Sequence, residues 1–308
     1  MPTTNAATSW PLQRPSKPSW QKTRATRRAT EFNRSITIHS EVILLAQHTE
    51  KFVSFRNGKF NVQLVEGGTG DHLLYLHGAG GFTGWDDCLD RLASEFHVIA
   101  PAHPGVAQSE GLEHLDDLWD LVLFYEELLD ELGLDRTFVV GHSYGGLLAA
   151  ELAAQCPQRV RRLALVGSLG LWLEDTPVAD FFILTRSERT ELLWHDGESE
   201  VAQAYMAAPE DPAERMEADL TRTQTLASVG KFVWPIPDKG LPKRAHRITM
   251  PTLLLWGDSD GVVPPAYGPA FQALLPNATL QIIDRCGHIP QVERPDEFFE
   301  AITGFLRD

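Results

Sequence analysis

Short apolar runs alternate with segments of helical periodicity through most of this 308-residue chain. The runs that have the length and composition of buried strands are "HLLYLHG", "FHVIAP", "TFVVG", "VRRLALVGS", "PTLLLWG" and "ATLQIID". Apolar spacing typical of helices is found in residues 115–133 and in "GGLLAAELAAQC". Runs without polar alternation are typical of strands that are covered on both faces. The alternation therefore predicts an α/β fold, in which helices cover both faces of a mostly parallel sheet.

Changes in composition along the chain predict its domain organisation. Residues 1–50 are polar and rich in Pro, Ser, Thr and Arg, which predicts a basic N-terminal arm that is extended or disordered. The alternation begins in residues 51–170, where Asn57-Gly58 predicts a hairpin, and it resumes in residues 248–308. Residues 171–247 interrupt it and are rich in aromatic side chains. Because long structureless loops are uncommon in compact domains, we expect this interruption to form a helical lid, or cap, over the core.

Charge and composition narrow the classes of partner. The formal net charge is −15, although residues 1–40 carry seven basic residues and one acidic residue. The rest of the chain is therefore strongly acidic, and an acidic surface repels nucleic acid and anionic membranes. A small-molecule substrate is a better candidate partner than either of these. No apolar run reaches the roughly 18 to 20 residues of a membrane span. Three widely separated cysteines predict reduced thiols in a cytoplasmic protein and indicate no metal site, and nothing in the sequence indicates an oligomeric state.

The segment "GHSYGG" places Ser143 between a predicted strand and a predicted helix. A strand that turns directly into a helix crowds backbone against backbone, so the positions two before and two after the apex must have almost no side chain. Gly141 and Gly145 occupy those positions. The turn exposes the serine hydroxyl beside a helix N-terminus, where developing negative charge is favoured. We therefore predict that Ser143 is a nucleophile.

A serine hydroxyl needs a general base, which is most often a histidine. Three histidines follow the serine in the chain, namely His195, His246 and His288. His195 falls in the predicted lid, and His246 falls in the basic cluster "KRAHR". His288 follows a predicted strand, and the loops at the carboxyl ends of parallel strands are where such sheets place their sites. His288 is the predicted base.

An acid is expected to orient the base, and the chain offers several. The segment "LLLWGDSDGVVPP" carries Asp258 and Asp260 just beyond a buried strand. We favour Asp260, because it lies far enough past the strand to turn toward the histidine loop. Asp258 fits a turn residue whose carboxylate accepts local N–H groups. Glu174 and Asp175, which follow a neighbouring strand, are a further alternative.

Two backbone N–H groups are expected to stabilise the tetrahedral intermediate of acyl transfer. One is predicted at Tyr144, directly after the serine. The other is predicted in the glycine-rich loop "HGAGG", at Ala79 or, as the next choice, at Gly80. This loop lacks the spacing of a phosphate-binding motif, since no "GK" followed by Ser or Thr comes after it.

Five ordered motifs together resemble the α/β-hydrolase family, in its lid-bearing members. They are "LHGAGG", "PAHPGVAQSEG", "GHSYGG", "GDSDGVVP" and "GHIPQVERP", and the resemblance covers about residues 52–308. It implies an eight-stranded, mostly parallel sheet with a helical cap inserted after the sixth strand. It also implies a nucleophile at Ser143, an acid at Asp260, a base at His288 and oxyanion amides at Ala79 and Tyr144, with no cofactor or metal. The segment "PAHPG" departs from the aspartate that many members carry near Ala102.

The resemblance implies a cofactor-independent serine hydrolase, and the first hypothesis is cleavage of carboxylic esters of small or medium size. A first alternative keeps the same residues and cleaves a carbon–carbon bond in vinylogous diketo acids, as some members of the family do. Its substrates carry a carboxylate, for which Arg186, Arg189 and Arg222 are candidate partners. A second alternative is a ligand-binding protein that has the fold but little turnover.

Overall fold

A computed structural model describes residues 48–308. The predicted basic arm lies outside the described residues, except that His48–Glu50 already belong to the first strand. Within the described part, no helix combines the length and the apolar character of a membrane span. All three cysteines are unpaired.

Eight strands form one sheet in the order β1-β2-β4-β3-β5-β6-β7-β8. Strands β1 and β2 are antiparallel to each other, β2 is antiparallel to β4, and every other neighbouring pair is parallel. The predicted mostly parallel sheet is thereby confirmed. The strands are β1 (His48–Phe55), β2 (Phe60–Gly67), β3 (His72–Leu76), β4 (His97–Pro101), β5 (Thr137–His142), β6 (Val160–Val166), β7 (Thr252–Gly257) and β8 (Ala278–Ile283).

Helices cover both faces of the sheet, as predicted. Those within the described residues are α1 (Asp87–Ala93), α2 (Leu118–Glu131), α3 (Tyr144–Gln155), α4 (Arg186–Leu193), α5 (Glu200–Met206), α6 (Pro212–Val233), α7 (Tyr267–Leu274), α8 (Pro290–Glu293) and α9 (Pro295–Arg307). Helices α1 and α9 share one apolar cluster, whereas α2, α3 and α7 belong to another. Successive strand residues such as Leu73 and Leu74 enter opposite clusters, because side chains alternate across a strand.

The turn between β1 and β2 closes the predicted hairpin. Arg56, Asn57 and Gly58 have φ angles of 49°, 57° and 79°, which lie in the left-handed region. Asn and Gly accept this region at low cost, so the "NG" dipeptide sets the turn. The hairpin provides the antiparallel edge of the sheet.

Residues 171–247 lie between β6 and β7 and contain α4, α5 and α6, and we call this segment the insertion. Each of its helices begins with a capping side chain, from Thr185, Ser199 and Asp211 respectively. The insertion returns to the core near Arg244, whose Nε donates a hydrogen bond of 2.8 Å to Glu151. Glu151 is fully buried in α3, so this ion pair fixes one end of the insertion to the core.

Two buried histidines support the turns at the ends of β3 and β4. His103 Nε2 donates to the carbonyl oxygen of His77 at 2.8 Å, and the His103 backbone N–H approaches His77 Nε2 at 3.3 Å. His103 Nδ1 meets the hydroxyl of Tyr125, and His77 Nδ1 donates to the Gly78 carbonyl oxygen at 2.8 Å. These bonds satisfy both rings in their neutral forms. His103, in "PAHPG", thus has a structural role.

Burial lowers the pKa of His77 to about 4, and burial followed by the neighbouring His77 lowers the pKa of His103 well below its ordinary value. We expect the free energy of unfolding to fall as the pH drops below about 6.5, the ordinary pKa of histidine. Over this range the two histidines bind protons in the unfolded chain but not in the folded chain. The free energy of unfolding therefore falls by up to about 1.4 kcal/mol per pH unit for each histidine. Urea titrations at about pH 7 and about pH 5 measure the effect.

The variant His103→Gln removes one titrating group and should reduce the pH dependence of the unfolding free energy. The matched control is His246→Gln, because His246 is exposed. An unfolding free energy of the wild-type protein that stays level between neutral and mildly acidic pH would contradict this account.

Candidate active site

Ser143 lies at the turn between β5 and α3, with φ 55° and ψ −114°. This conformation is strained for a residue that has a side chain, and such strain is common at functional sites. A Cβ on Gly145 would lie 2.1 Å from the carbonyl oxygen of Leu76, and one on Gly141 would lie 2.3 Å from that of Gly145. Both positions therefore require glycine, for the reason that the sequence motif predicts.

Three side chains from separate loops meet at this turn. His288 Nε2 lies 2.9 Å from Ser143 Oγ, and His288 Nδ1 lies 2.8 Å from Asp260 Oδ2. The three residues are 3–4% exposed. The other carboxylate oxygen of Asp260 accepts N–H bonds from Val262 and Val263, at 2.9 and 2.8 Å. The carboxylate is thus fixed to accept the Nδ1 proton, which leaves Nε2 free to accept the serine proton.

Gly167, at the end of β6, makes room for this acid and base. A Cβ at this position would lie 3.1 Å from Asp260 Oδ2 and 3.2 Å from His288 Nδ1, and the residue has a φ of 49°. Sequence reasoning did not identify this glycine. Its signal was its place at the carboxyl end of a strand next to the one that leads to Ser143.

The other candidate residues do not reach the serine. Asp258 accepts hydrogen bonds from Ser259 Oγ at 2.7 Å and from the Cys286 N–H at 3.2 Å. Slight desolvation opposes its charge, but hydrogen bonds from the Arg285 backbone, from Ser259 and from the Cys286 backbone outweigh it and lower the pKa of Asp258. Asp258 is therefore a turn residue whose carboxylate accepts local hydrogen bonds, which is the role that the sequence analysis gave as its alternative to catalysis. The remaining candidates lie exposed at the surface, namely Glu174, Asp175, His195 and His246.

The predicted oxyanion donors flank the serine. Tyr144 is the first residue of α3, so its N–H has no acceptor within the helix. Ala79 and Gly80 line the cavity that contains Ser143. A Cβ on Gly78 would lie 3.3 Å from the Cβ of Ser143, which shows how closely the "HGAGG" loop approaches the turn that carries Ser143.

A cavity of about 590 Å³ opens at Ser143 and His288. Its walls come from the "HGAGG" loop, from the loop that carries His288 and from all three helices of the insertion. Much of the wall is apolar, which suits the carbon skeleton of a small organic substrate. The apolar members include Phe82, Leu89, Phe181, Leu184, Leu193, Leu226, Val262 and Ile289.

Four arginines from the insertion also line this cavity, and none forms an ion pair with a carboxylate of the described residues. They are Arg186, Arg189, Arg215 and Arg222. Sequence reasoning missed Arg215, although its spacing of seven from Arg222 places both on one face of α6. The cavity therefore has a cationic side.

Partial burial disfavours the charge of two of these arginines, Arg189 and Arg222. Burial, followed by repulsion from Arg186, lowers the pKa of Arg189, and burial followed by Arg189 lowers the pKa of Arg222. Asp219 acts in the opposite direction on both guanidinium groups. The Nε of Arg189 is buried and has no hydrogen-bond partner among the described residues. A bound anion would relieve both the repulsion and the unpaired donor.

Two further polar residues near the serine were not identified from the sequence. His142 Nε2 lies 2.8 Å from the carbonyl oxygen of His288, and Gln291 Nε2 lies 3.4 Å from His142 Nδ1. Burial, and then the charge of a protonated His288, lower the pKa of His142 to about 3, so it donates as a neutral ring. Their signal was adjacency, because His142 precedes Ser143 and Gln291 follows His288 in "GHIPQ".

Within residues 48–308, no three or more His, Cys, Asp or Glu side chains are grouped so that they could hold a metal ion. These are the side chains that most often bind transition metals.

Known proteins of related sequence include hydrolases. A hydrolase of Burkholderia vietnamiensis, described as 2-hydroxy-6-oxononadienedioate/2-hydroxy-6-oxononatrienedioate hydrolase, is 31% identical over 290 residues, which cover 86% of this chain and 98% of that protein. The dihydrolipoyllysine-residue acetyltransferase component of the acetoin cleaving system of Cupriavidus necator is 30% identical over 248 residues, or 76% of this chain. The match spans 63% of that protein, so the chain covers less than two thirds of its length.

Solved structures share the fold. The 2-hydroxy-6-oxo-6-phenylhexa-2,4-dienoate hydrolase of a Rhodococcus strain aligns with a TM-score of 0.66 at 24% identity, over 85% of this chain and 100% of that one. A sequence profile of the alpha/beta hydrolase family matches residues 73–301. The chain therefore belongs to the alpha/beta hydrolase family, and it is an enzyme of the hydrolase class.

Proposed function

We propose that Ser143 is the nucleophile, His288 the general base and Asp260 the acid that orients it. The observation that carries this proposal is the continuous hydrogen-bonded chain from Asp260 through His288 to Ser143, with distances of 2.8 and 2.9 Å. His288 takes the proton of Ser143 as its oxygen attacks a carbonyl carbon, and the N–H groups of Ala79 and Tyr144 stabilise the oxyanion. The protonated His288 gives this proton to the departing group, and its free Nε2 then takes a proton from the water that hydrolyses the acyl-enzyme and returns it to the Ser143 oxygen as that oxygen leaves.

For the substrate, we propose a vinylogous diketo acid whose carbon–carbon bond next to a keto group is cleaved. The tetrahedral intermediate formed on that keto carbon collapses to the acyl-enzyme as the bond breaks, the electron pair of the bond passes into the conjugated keto acid, and the resulting dienolate takes the proton held by His288. Water releases the acyl part as a carboxylic acid. Two observations support this substrate class: the cationic side of the cavity would bind the carboxylate, and relatives that align over nearly their whole length are described as dienoate hydrolases.

Cleavage of small carboxylic esters, the first hypothesis from the sequence, becomes the second candidate. The apolar wall of the cavity favours it, since an uncharged acyl group would be desolvated there without penalty. Both candidates use the same serine chemistry. They differ in whether the substrate needs the arginines, and an ester without a carboxylate gains nothing from them.

The insertion, residues 171–247, is proposed to act as a cap. Its three helices supply the arginines and much of the apolar wall, while the core supplies the proposed catalytic residues. Specificity would thus depend on the insertion and chemistry on the sheet. We further propose a cytoplasmic location, with support from the three unpaired cysteines.

Replacing the proposed nucleophile should abolish turnover. Ser143→Ala removes the attacking oxygen, so kcat should fall by about 1000-fold or more with both dienoate and p-nitrophenyl butyrate. A fluorophosphonate probe should label the wild-type protein at Ser143 and leave Ser143→Ala unlabelled, as read by mass spectrometry. The control is Ser94→Ala, because Ser94 is an exposed residue that ends α1. A wild-type protein that captures ligand but is never labelled would instead be the ligand-binding alternative.

Removing one arginine separates the two substrate classes. Arg222→Gln should lower kcat/KM for a dienoate substrate by about 10- to 100-fold, because a charge-assisted hydrogen bond contributes about 1.5–3 kcal/mol. The same variant should change kcat/KM for p-nitrophenyl butyrate by less than about twofold, as no charge is bound. Arg136→Gln, an exposed arginine outside the cavity, is the matched control. Equal losses with both substrates would reject the carboxylate role.

A further inference from the structure

The end of helix α4 presses against the loops that carry Asp260 and His288. Gly261 follows the acid and Gly287 precedes the base. A Cβ on Gly287 would lie 2.2 Å from the carbonyl oxygen of Leu193, and one on Gly261 would lie 2.8 Å from a methyl carbon of Leu192. Both glycines are thus required by the same neighbour. We call residues 192–196 of the insertion the docking segment.

Backbone hydrogen bonds join the docking segment to both loops. The N–H of His288 donates to the carbonyl oxygen of Leu193 at 2.7 Å, and the N–H of Gly261 donates to that of Leu192 at 3.0 Å. The last carbonyl groups of a helix have no partner within it, so α4 offers its free acceptors here. The proposed base is therefore held through its own backbone by the insertion.

One carboxylate reaches both sides of this contact. Glu293, in the short helix α8, accepts the Gly287 N–H on Oε2 at 2.5 Å and the His195 N–H on Oε1 at 2.9 Å. Bonds from N–H groups to a carboxylate are stronger than those to a neutral acceptor. Glu293 does not line the cavity, so it has no direct access to a substrate there.

A second polar connection runs parallel to the first. His195 Nδ1 lies 2.7 Å from Ser259 Oγ, and Ser259 Oγ donates to Asp258 Oδ1 at 2.7 Å. Asp258 also accepts the N–H of Cys286, in the loop of the base. The loops of the acid and the base are therefore joined to each other as well as to the docking segment.

We propose that Glu293 is a positioning residue, which clamps the docking segment to the His288 loop so that the alignment of the base depends on a docked insertion. The proposal rests on the function proposed above for His288. The docking segment supplies the acceptor for the His288 N–H, and Glu293 holds that segment and Gly287 in one register. The His288 imidazole is then aligned only when the insertion is docked over the cavity.

Loss of this clamp should affect the chemical step and not substrate binding. Without the carboxylate, the N–H groups of Gly287 and His195 lose their acceptor, and the loop between them can relax. A small displacement of the His288 imidazole is enough to slow proton transfer, because a shift of about 1 Å can cost about 100-fold in rate. Leu193 is the one residue of the docking segment that lines the cavity, so KM should change much less than kcat.

The experiment compares Glu293→Ala and Glu293→Gln with the control Glu297→Gln, an exposed acid on α9. Glu293→Ala should lower kcat by about 10- to 100-fold with KM within about twofold of wild type. Glu293→Gln keeps the shape and one acceptor oxygen, so its kcat should be intermediate. Glu297→Gln should match the wild type. Amide hydrogen exchange should be faster at Gly287 and His288 in Glu293→Ala and unchanged elsewhere in the sheet.

Two outcomes would overturn the proposal: a kcat of Glu293→Ala within about twofold of wild type, or a loss that appears in KM and leaves kcat unchanged. Unaltered amide exchange at Gly287 and His288 would also overturn it, even in a protein without measurable turnover. If fluorophosphonate does not label Ser143 in the wild-type protein, the proposed function is refuted. If amide exchange at Gly287 and His288 is nevertheless faster in Glu293→Ala than in the wild type, the structural role of Glu293 as a clamp stands. If Glu293→Ala does not fold, Glu293→Gln alone decides.

Discussion

The close approach of the β5–α3 turn to the end of β3 is the constraint from which the site is built. Gly145 lies so near the Leu76 carbonyl oxygen that even one methyl group would collide at 2.1 Å. This contact places Ser143, the "HGAGG" loop and the N-terminus of α3 within one small volume. The proposed nucleophile, the candidate oxyanion amides and the helix dipole are therefore brought together by backbone packing, before any side chain contributes.

Much of the architecture could be predicted because it depends on local signals. Alternating apolar runs predict the strands, Asn57-Gly58 predicts the hairpin, and two glycines around Ser143 predict a tight turn. Asp260 and His288 could be chosen because the carboxyl ends of parallel strands meet at one edge. The structure brings these two side chains to the serine.

The residues that sequence reasoning missed depend on contacts between distant segments. Gln291 and His142 come together only because the loop after β8 returns to the end of β5. Arg215 becomes part of the cavity only when α6 lies over the core. In the sequence Glu293 resembles an ordinary surface acid, because the N–H groups that it accepts come from two segments about 90 positions apart. Periodicity and composition contain no information on such distances.

Helix α6 is unevenly supported along its length. Its C-terminal half buries Thr225, Ser228, Val229, Phe232 and Val233, whereas residues 212–221 are all exposed. The free energy needed to open the N-terminal half locally is therefore small compared with that of the rest of the fold. Arg215 lies in this half, and Arg222 lies at its border. Local opening of this half would move Arg215 and reshape one wall of the cavity, while the buried C-terminal half keeps the helix on the core.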